Sequence, residues 1–361
     1  MKLFETIREM GHEQVLFCHD KDQDLRAIIA IHDTGLGTAM GATRLWPYPS
    51  EEDALRDVLR LSRGMTYKAA CANIPVGGGK AVIIANPENK TEGMLRAYGR
   101  FVESLNGRFI TGQDVNLSPE DVRKIRHETQ YVVGVSQQSV GPARMTAIGV
   151  LLGIKAAVEF RLKTQELNTL KIAIQGVGNV GINLCHYLHE HGVKLFVSDL
   201  RREKAEEIKH LYGATVVDPK EIYSLEVDVF SPCALGGVLN SSTIPHIKAP
   251  IIAGSANNQL EDEQIHSRLL ASKDILYCPD YVINAGGLID VYNEMIGYSE
   301  EKALKHLNNI YDTLLEIFRK AEKEGITTHE AAKCLAEQRI IKAKNIKLMD
   351  NYATLSLSGV A

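Results

Sequence analysis

Hydrophobic and polar positions follow two rhythms along the 361 residues. In the first, up to about residue 138, short apolar runs are mixed with amphipathic stretches. Ala27-Ile28-Ile29-Ala30-Ile31-His32 and Ala81-Val82-Ile83-Ile84-Ala85 are nearly unbroken apolar runs, too short for a helix, and are predicted as strands. Between them, Ser50 followed by Asp53 predicts a helix start, with Leu55, Val58 and Leu59 as its apolar stripe. Ser118-Pro119-Glu120-Asp121 predicts another, with proline at the first helical position. Residues 134–146 carry Gly, Ser and Pro without periodicity and are expected to connect two domains.

The second rhythm begins with a helical stretch from about Ala143 to Leu162. Strand-like runs then recur at Lys171–Gln175, Val193–Ser198, Val227–Phe230, Pro250–Ala253 and Ile275–Cys278, separated by helical or loop segments. That alternation predicts βαβ units and a mostly parallel sheet. From about Ser299 to Lys347 the pattern is two long helices parted near Gly325, and residues 351–361 read as a frayed tail. The expected class is α/β: an α/β domain over 1–138, a doubly wound domain over 139–325 and a C-terminal segment over 326–361.

Composition removes several alternatives. Lys plus Arg is 41 against 45 Asp plus Glu, a net charge of −4, so no global field attracts nucleic acid or anionic membrane. No run of about 18 apolar residues occurs, and the N-terminus lacks the apolar stretch of a signal peptide. Six cysteines without a C-x-x-C pair read as reduced, mostly buried thiols, which points to a cytoplasmic protein. Cys185, His186, His189 and His191 crowd together, but near a helix C-terminus and at no zinc spacing, so no metal is expected.

Candidate chemistry lies in both halves. Gly176-Val177-Gly178-Asn179-Val180-Gly181 follows a strand, opens a helix and precedes a second strand ending at Asp199. This is a dinucleotide fingerprint: Gly176 for the turn, Gly178 for close approach of a pyrophosphate, Gly181 for helix–strand packing, and the helix N-terminus for the phosphates. Asp199 would accept from ribose hydroxyls, which favours NAD; Arg201 and Arg202 leave NADP open. In the first half, Lys80 follows Gly77-Gly78-Gly79 and precedes an apolar strand, and Lys68 lies in Gly64-Met65-Thr66-Tyr67-Lys68. A desolvated lysine can serve as a general base; the alternative is a snorkelling surface lysine. Asp114, after Arg108-Phe109-Ile110, is placed to orient a lysine or to make an Asx turn.

These segments, with Met40-Gly41-Ala42-Thr43-Arg44, Gly254-Ser255-Ala256-Asn257-Asn258-Gln259 and Pro279-Asp280-Tyr281-Val282-Ile283-Asn284-Ala285-Gly286-Gly287, resemble the Glu/Leu/Phe/Val amino-acid dehydrogenases over nearly the whole chain. The resemblance implies a substrate domain facing a Rossmann domain across a cleft, C-terminal helices returning to the first domain, and a homo-oligomer, a dimer or larger. It implies that Lys68 and the backbone near Gly41 bind the substrate carboxylate, and that Lys80 is the general acid/base assisted by Asp114. Asn257 and Asn258 would lie between nicotinamide and substrate, Asn284 near the nicotinamide, Ala234 along the cofactor groove and Thr146 near the carboxamide. The side-chain pocket would comprise Met40, Ala69, Ile74, Ile110, Gly112, Leu288 and Val291, all without charge, which implies an apolar amino acid. Gly112 and Leu288 stand where branched-chain users have Ala and Val, and Gly112 is expected to add room for a ring. The implied reaction is NAD-dependent oxidative deamination of an aromatic amino acid, tryptophan or phenylalanine. The alternatives are a leucine or valine preference and a non-catalytic NAD-binding sensor. Two departures from the family pattern stand out: Ala42 replaces a glycine, and Asn116 replaces another.

Overall fold

The computed structural model describes residues 3–134 and 139–358, from 347 on by backbone alone. It divides into two compact units, 1–138 with 336–361, and 139–335.

In chain order the first unit contains α1 (Leu3–Met10), β1 (Gln14–Asp20), β2 (Leu25–Asp33), β3 (Ala39–Met40), β4 (Thr43–Trp46), α2 (Glu51–Cys71), β5 (Gly77–Ile84), α3 (Glu92–Ser104), β6 (Phe109–Ile110) and α4 (Pro119–Arg126). One sheet runs β1-β2-β5-β3-β6, with β4 also paired to β5. β2 and β5 are antiparallel, so Ile28 faces Val82 and Ala30 faces Lys80. Alternation along both strands then makes two apolar layers. Ile28, Ala30, Val82 and Ile84 pack on Ala54, Leu55, Val58 and Leu59 of α2. Ala27, Ile29, Ala81 and Ile83 pack on Met94, Leu95, Tyr98 and Val102 of α3 and on Val122 and Ile125 of α4. Covering on both faces is why β2 and β5 read as unbroken apolar runs. The Ser50 side chain accepts from the Asp53 N–H at the start of α2, and Ser118 with Asp121 forms a reciprocal capping box on α4.

The second unit contains α5 (Pro142–Leu162), β7 (Lys171–Gln175), α6 (Asn179–Glu190), β8 (Lys194–Ser198), α7 (Arg202–Tyr212), β9 (Thr215–Val216), β10 (Val229–Pro232), β11 (Ile251–Ile252), α8 (Glu263–Ser272), β12 (Leu276–Tyr277), α9 (Asp280–Ile283), α10 (Gly286–Met295), α11 (Glu300–Glu324) and the start of α12 (Thr328–Ser358). All its strand pairs are parallel, in the order β12-β11-β10-β7-β8-β9. The chain moves outward from β7 to β9 and then restarts beside β7 with β10. This reversal is the switch point of a doubly wound sheet.

Several expectations shift. The expected 134–146 connection includes a helix start, because Pro142 opens α5; residues 135–138 lie outside those described. The strand expected at Val227–Phe230 sits at Val229–Pro232, since β10 takes its register from β7. The helix break at Gly325 is present, with Gly325 in the left-handed region (φ +66°), but the border between units falls ten residues later, inside α12. Only the last helix joins the first unit, while α11 stays in the second. There Arg339 donates to the Ala70 and Cys71 carbonyls at 3.0 Å each, and Lys344 pairs with Asp33. The expected frayed tail from Asn351 is helical to Ser358.

Two histidines are buried under α2. One His12 ring nitrogen lies 2.8 Å from the Ser62 hydroxyl and 3.1 Å from the Leu59 carbonyl. His32 lies 2.8 Å from the Thr66 hydroxyl, and the two rings meet edge to face at 4.9 Å. Burial, with the neighbouring His32, pushes His12 down to about 4. The unfolded chain therefore binds this proton first as pH falls from about 6.5. We expect folding stability to be complete above pH ~6.5 and to fall by roughly 3 kcal/mol on the way to pH ~4. Urea unfolding across this range checks it: His12→Asn should flatten that part of the profile, and an unchanged slope would remove His12 as its source.

Candidate active site

The central feature of the first unit is a lysine inside a strand. Every residue of β5 is buried, and the Lys80 side chain is 9% exposed. Its alternation with Val82 and Ile84 turns it toward the face that α2 covers. Its Nζ lies 2.8 Å from Asp114 Oδ2. Asp114 is carried there by the segment after β6, which is stitched to β4: Thr43 N–H donates to Gly112 O at 2.9 Å and Leu45 N–H to Val115 O at 3.0 Å. Burial opposes ionisation of Asp114, but the Lys80 and Arg44 cations outweigh it and hold the carboxyl below its usual range. Beneath the pair, the Thr43 hydroxyl lies 2.6 Å from those of both Tyr98 and Thr111, a buried cluster that fixes β4 to α3.

Lys68 stands half-buried on the last turn of α2. Met40 and Ile110 are cross-strand partners, and the Gly41 N–H donates to the Ile110 carbonyl at 3.0 Å. Ala69 and Ile74 meet just past α2, where the Ile74 N–H donates to the Ala69 carbonyl at 3.2 Å. Gly112 lies against the segment that carries Val133. A methyl added there would point at Val133, 3.1 Å from its carbonyl oxygen and 3.4 Å from Cγ2. The glycine thus lets the Val133 segment approach closely. Asn116 explains one departure from the family pattern. It is left-handed (φ +60°), which suits glycine and which Asn tolerates, and its side chain donates to the Leu45 carbonyl at 3.0 Å. Ala42 keeps negative φ, so that substitution brings no strain.

Arg44 has no role in the expectations drawn from sequence. Its Nε lies 3.4 Å from Asp114 Oδ2, while its other end donates to Asp57 at 2.9 Å. A lone arginine in a strand carries no signal of this; only the register of β4 against β5 does.

In the second unit the fingerprint residues surround the end of β7. Gly176 has φ +96°, and a side chain there would strike Ala234 at 2.7 Å. A Cβ at Gly181 would lie 2.1 Å from the Gly176 carbonyl oxygen, whereas at Gly178 it would meet nothing within 4 Å among the described residues. Asn179 and Val180 open α6, whose N-terminus is capped by no side chain among the described residues. Asp199 accepts from the N–H groups of Val177 and Arg201, each at 2.9 Å. Asn284 donates to Asn257 Oδ1 at 2.8 Å, while its own Oδ1 is buried without a partner among the described residues. Asn258 is exposed and left-handed (φ +50°). The Thr146 hydroxyl donates to the Pro142 carbonyl at 2.7 Å and lies beside Gly287. Leu288 and Val291 are one turn apart on α10, Leu288 buried. Open space at Gly178, free N–H groups at the start of α6 and the unpaired Asn284 oxygen together fit a dinucleotide bearing a carboxamide. Among the described residues no three His, Cys, Asp or Glu side chains form a metal-binding group, and no helix is long and apolar enough to cross a membrane. Cys185 is buried while His186 pairs outward with Glu190.

Residues 12–131 match the dimerisation domain of the Glu/Leu/Phe/Val dehydrogenases, and 195–347 match the glutamate/leucine/phenylalanine/valine dehydrogenase domain. The chain belongs to this family of amino-acid dehydrogenases, enzymes that work with a nicotinamide dinucleotide. It is 70% identical to the L-tryptophan dehydrogenase of Nostoc punctiforme over 347 residues, 96% of this chain and 98% of that protein. It is 48% identical to the leucine dehydrogenase of Geobacillus stearothermophilus, over 99% of each. The crystal structure of L-tryptophan dehydrogenase from Nostoc punctiforme superposes with a TM-score of 0.87 at 69% identity, covering 95% of this chain and 99% of that one.

The glycine geometry generates a stability test. Gly181→Ala forces a backbone clash and should cost about 1–3 kcal/mol in chemical denaturation. Gly178→Ala meets no atom and should leave stability unchanged. Equal losses in both variants would contradict the packing described.

Proposed function

We propose that the enzyme oxidatively deaminates an aromatic L-amino acid, tryptophan first, with NAD, giving the 2-oxo acid and ammonia. The observation that carries the chemistry is the buried Lys80 Nζ 2.8 Å from Asp114 Oδ2. The substrate assignment rests on the 70% identity to an L-tryptophan dehydrogenase and on the uncharged set Met40, Ala69, Ile74, Ile110, Leu288 and Val291.

Gly176, Gly178, Asn179, Val180 and Gly181 hold the pyrophosphate, Asp199 the ribose, and Ala234, Thr146, Asn257 and Asn284 the nicotinamide end. The bound dinucleotide supplies the acceptor for the hydride leaving Cα. Lys68 pairs with the substrate carboxylate, beside the Gly41 backbone, and so fixes which face of Cα reacts. Asn258 contacts the substrate. Neutral Lys80 takes a proton from the water that attacks the substrate iminium carbon, and Asp114 keeps the amine in place. The carbinolamine then loses ammonia, with the proton returned through Lys80. The chain acts as a homo-oligomer, a reading supported by the match of 12–131 to a dimerisation domain and by Phe17, 54% exposed on the edge strand β1.

Lys80→Ala should lower turnover roughly 10²–10⁴-fold while NAD affinity holds. Wild-type turnover in that variant would remove Lys80 from the chemistry. With wild type, kcat/KM over a panel of tryptophan, phenylalanine and leucine should be highest for tryptophan; leucine at the top would replace the aromatic assignment. A carboxylate at 199 disfavours a 2′-phosphate, so NAD should be preferred and Asp199→Ala should narrow the gap to NADP. Faster wild-type turnover with NADP would refute the assigned role of Asp199.

A further inference from the structure

Asp114 shares one oxygen between two cations. Its Oδ2 lies 2.8 Å from Lys80 Nζ and 3.4 Å from Arg44 Nε. Arg44 is held from behind: it donates to Asp57 Oδ2 at 2.9 Å, and the same oxygen accepts from the Tyr48 hydroxyl at 2.5 Å. The groups therefore run Lys80, Asp114, Arg44, Asp57, Tyr48, drawn from β5, the segment after β6, β4, α2 and the turn after β4. The side chains of Arg44 and Asp57 are 25% and 30% exposed, so solvent screens this row only partly.

We propose that Arg44 is a positioning residue for the Lys80–Asp114 pair: its guanidinium takes up part of the Asp114 charge and so weakens the hold of that carboxylate on the Lys80 side chain. The proposal rests on Lys80 being the proton carrier. The reason is electrostatic. A carboxylate given wholly to Lys80 favours the ammonium, yet the base in deamination is the free amine. A guanidinium does not deprotonate, so Arg44 is a fixed charge that weakens the hold of Asp114 on the lysine proton. Asp57 draws Arg44 the other way. Tyr48, whose titration is pushed up first by burial and then by Asp57, stays protonated and donates to Asp57. The helix that carries Asp57 also carries the cations Arg56, Arg60, Arg63 and Lys68; Arg56 pairs with Glu52 and Arg63 donates to the Tyr67 hydroxyl. Arg44 and Asp57 should therefore have opposite effects on the Lys80 proton, which a merely structural role would not produce.

The test is the pH profile of kcat for oxidative deamination, with NAD and the best amino acid of the panel. In Arg44→Met the midpoint of the rising limb should move up by about one pH unit. Turnover near neutral pH should then fall roughly tenfold and recover at high pH, with KM for the amino acid unchanged. Arg44→Lys should return most of the shift, and Asp57→Asn should move the midpoint down. A uniform loss at every pH in Arg44→Met, or shifts of the same sign in Arg44→Met and Asp57→Asn, would overturn the proposal. If Arg44→Met does not fold, Asp57→Asn decides alone: a downward shift supports it, and an unmoved or upward midpoint overturns it. Retained turnover in Lys80→Ala removes the Lys80 assignment itself; an inactive Lys80→Ala beside an unmoved Arg44→Met profile removes only the role of Arg44.

Discussion

A cation in the middle of a buried strand is the constraint on which the first unit depends. Taking an ammonium out of water costs several kcal/mol unless a partner compensates. Asp114 supplies that compensation for Lys80, and it does so from a segment that pairs with β4, itself pairing with β5. The short strands β3, β4 and β6 make little sense as sheet building alone, being two to four residues long. They make sense as a frame that brings the 112–115 segment alongside Lys80. The buried hydroxyls of Thr43, Tyr98 and Thr111 lock this frame from the α3 side, each satisfied by another, as buried polar groups must be.

The second unit solves a different problem with backbone rather than side chains. Its fully parallel sheet leaves the carboxyl ends of β7 and β10 side by side where the strand order reverses. Residues that are far apart in sequence collect there: the fingerprint, Ala234, the 254–259 loop and Asn284. The glycines do opposite jobs within a few residues. Gly176 and Gly181 are excluded from side chains by neighbouring protein atoms, whereas Gly178 faces open space. The first two serve packing, and the third leaves room that the protein does not fill.

Much of this was legible because it is local. Caps at Ser50 and Ser118, the apolar runs of β2 and β5, and the strand–glycine–helix order at 171–181 each depend on residues within one turn or one strand. Arg44 was not legible, because its contact with Asp114 spans strand pairing between β4 and β5 and the path of the chain after β6. The direction of Gly112 was not legible either: the residue type announces a missing side chain, but what the missing methyl would meet, Val133, is a matter of packing. Likewise Val229–Pro232 takes its limits from hydrogen bonding to β7 rather than from its own apolar pattern.

By itself the sequence determined the class of fold and the family, and it singled out Lys68, Lys80, Asp114 and the dinucleotide fingerprint as candidates, because short motifs with fixed spacing carry those. Only the tertiary structure decided how charge is shared around Lys80, which glycines face protein and which face open space, and that the last helix crosses from one unit's residues to the other's. The physical reason is range. Capping, alternation and turn chemistry act over a few bonds and are written in neighbouring residues. Ion pairs, close approaches and buried partners act over a few ångströms of space, and the residues that meet there are tens of positions apart in the chain.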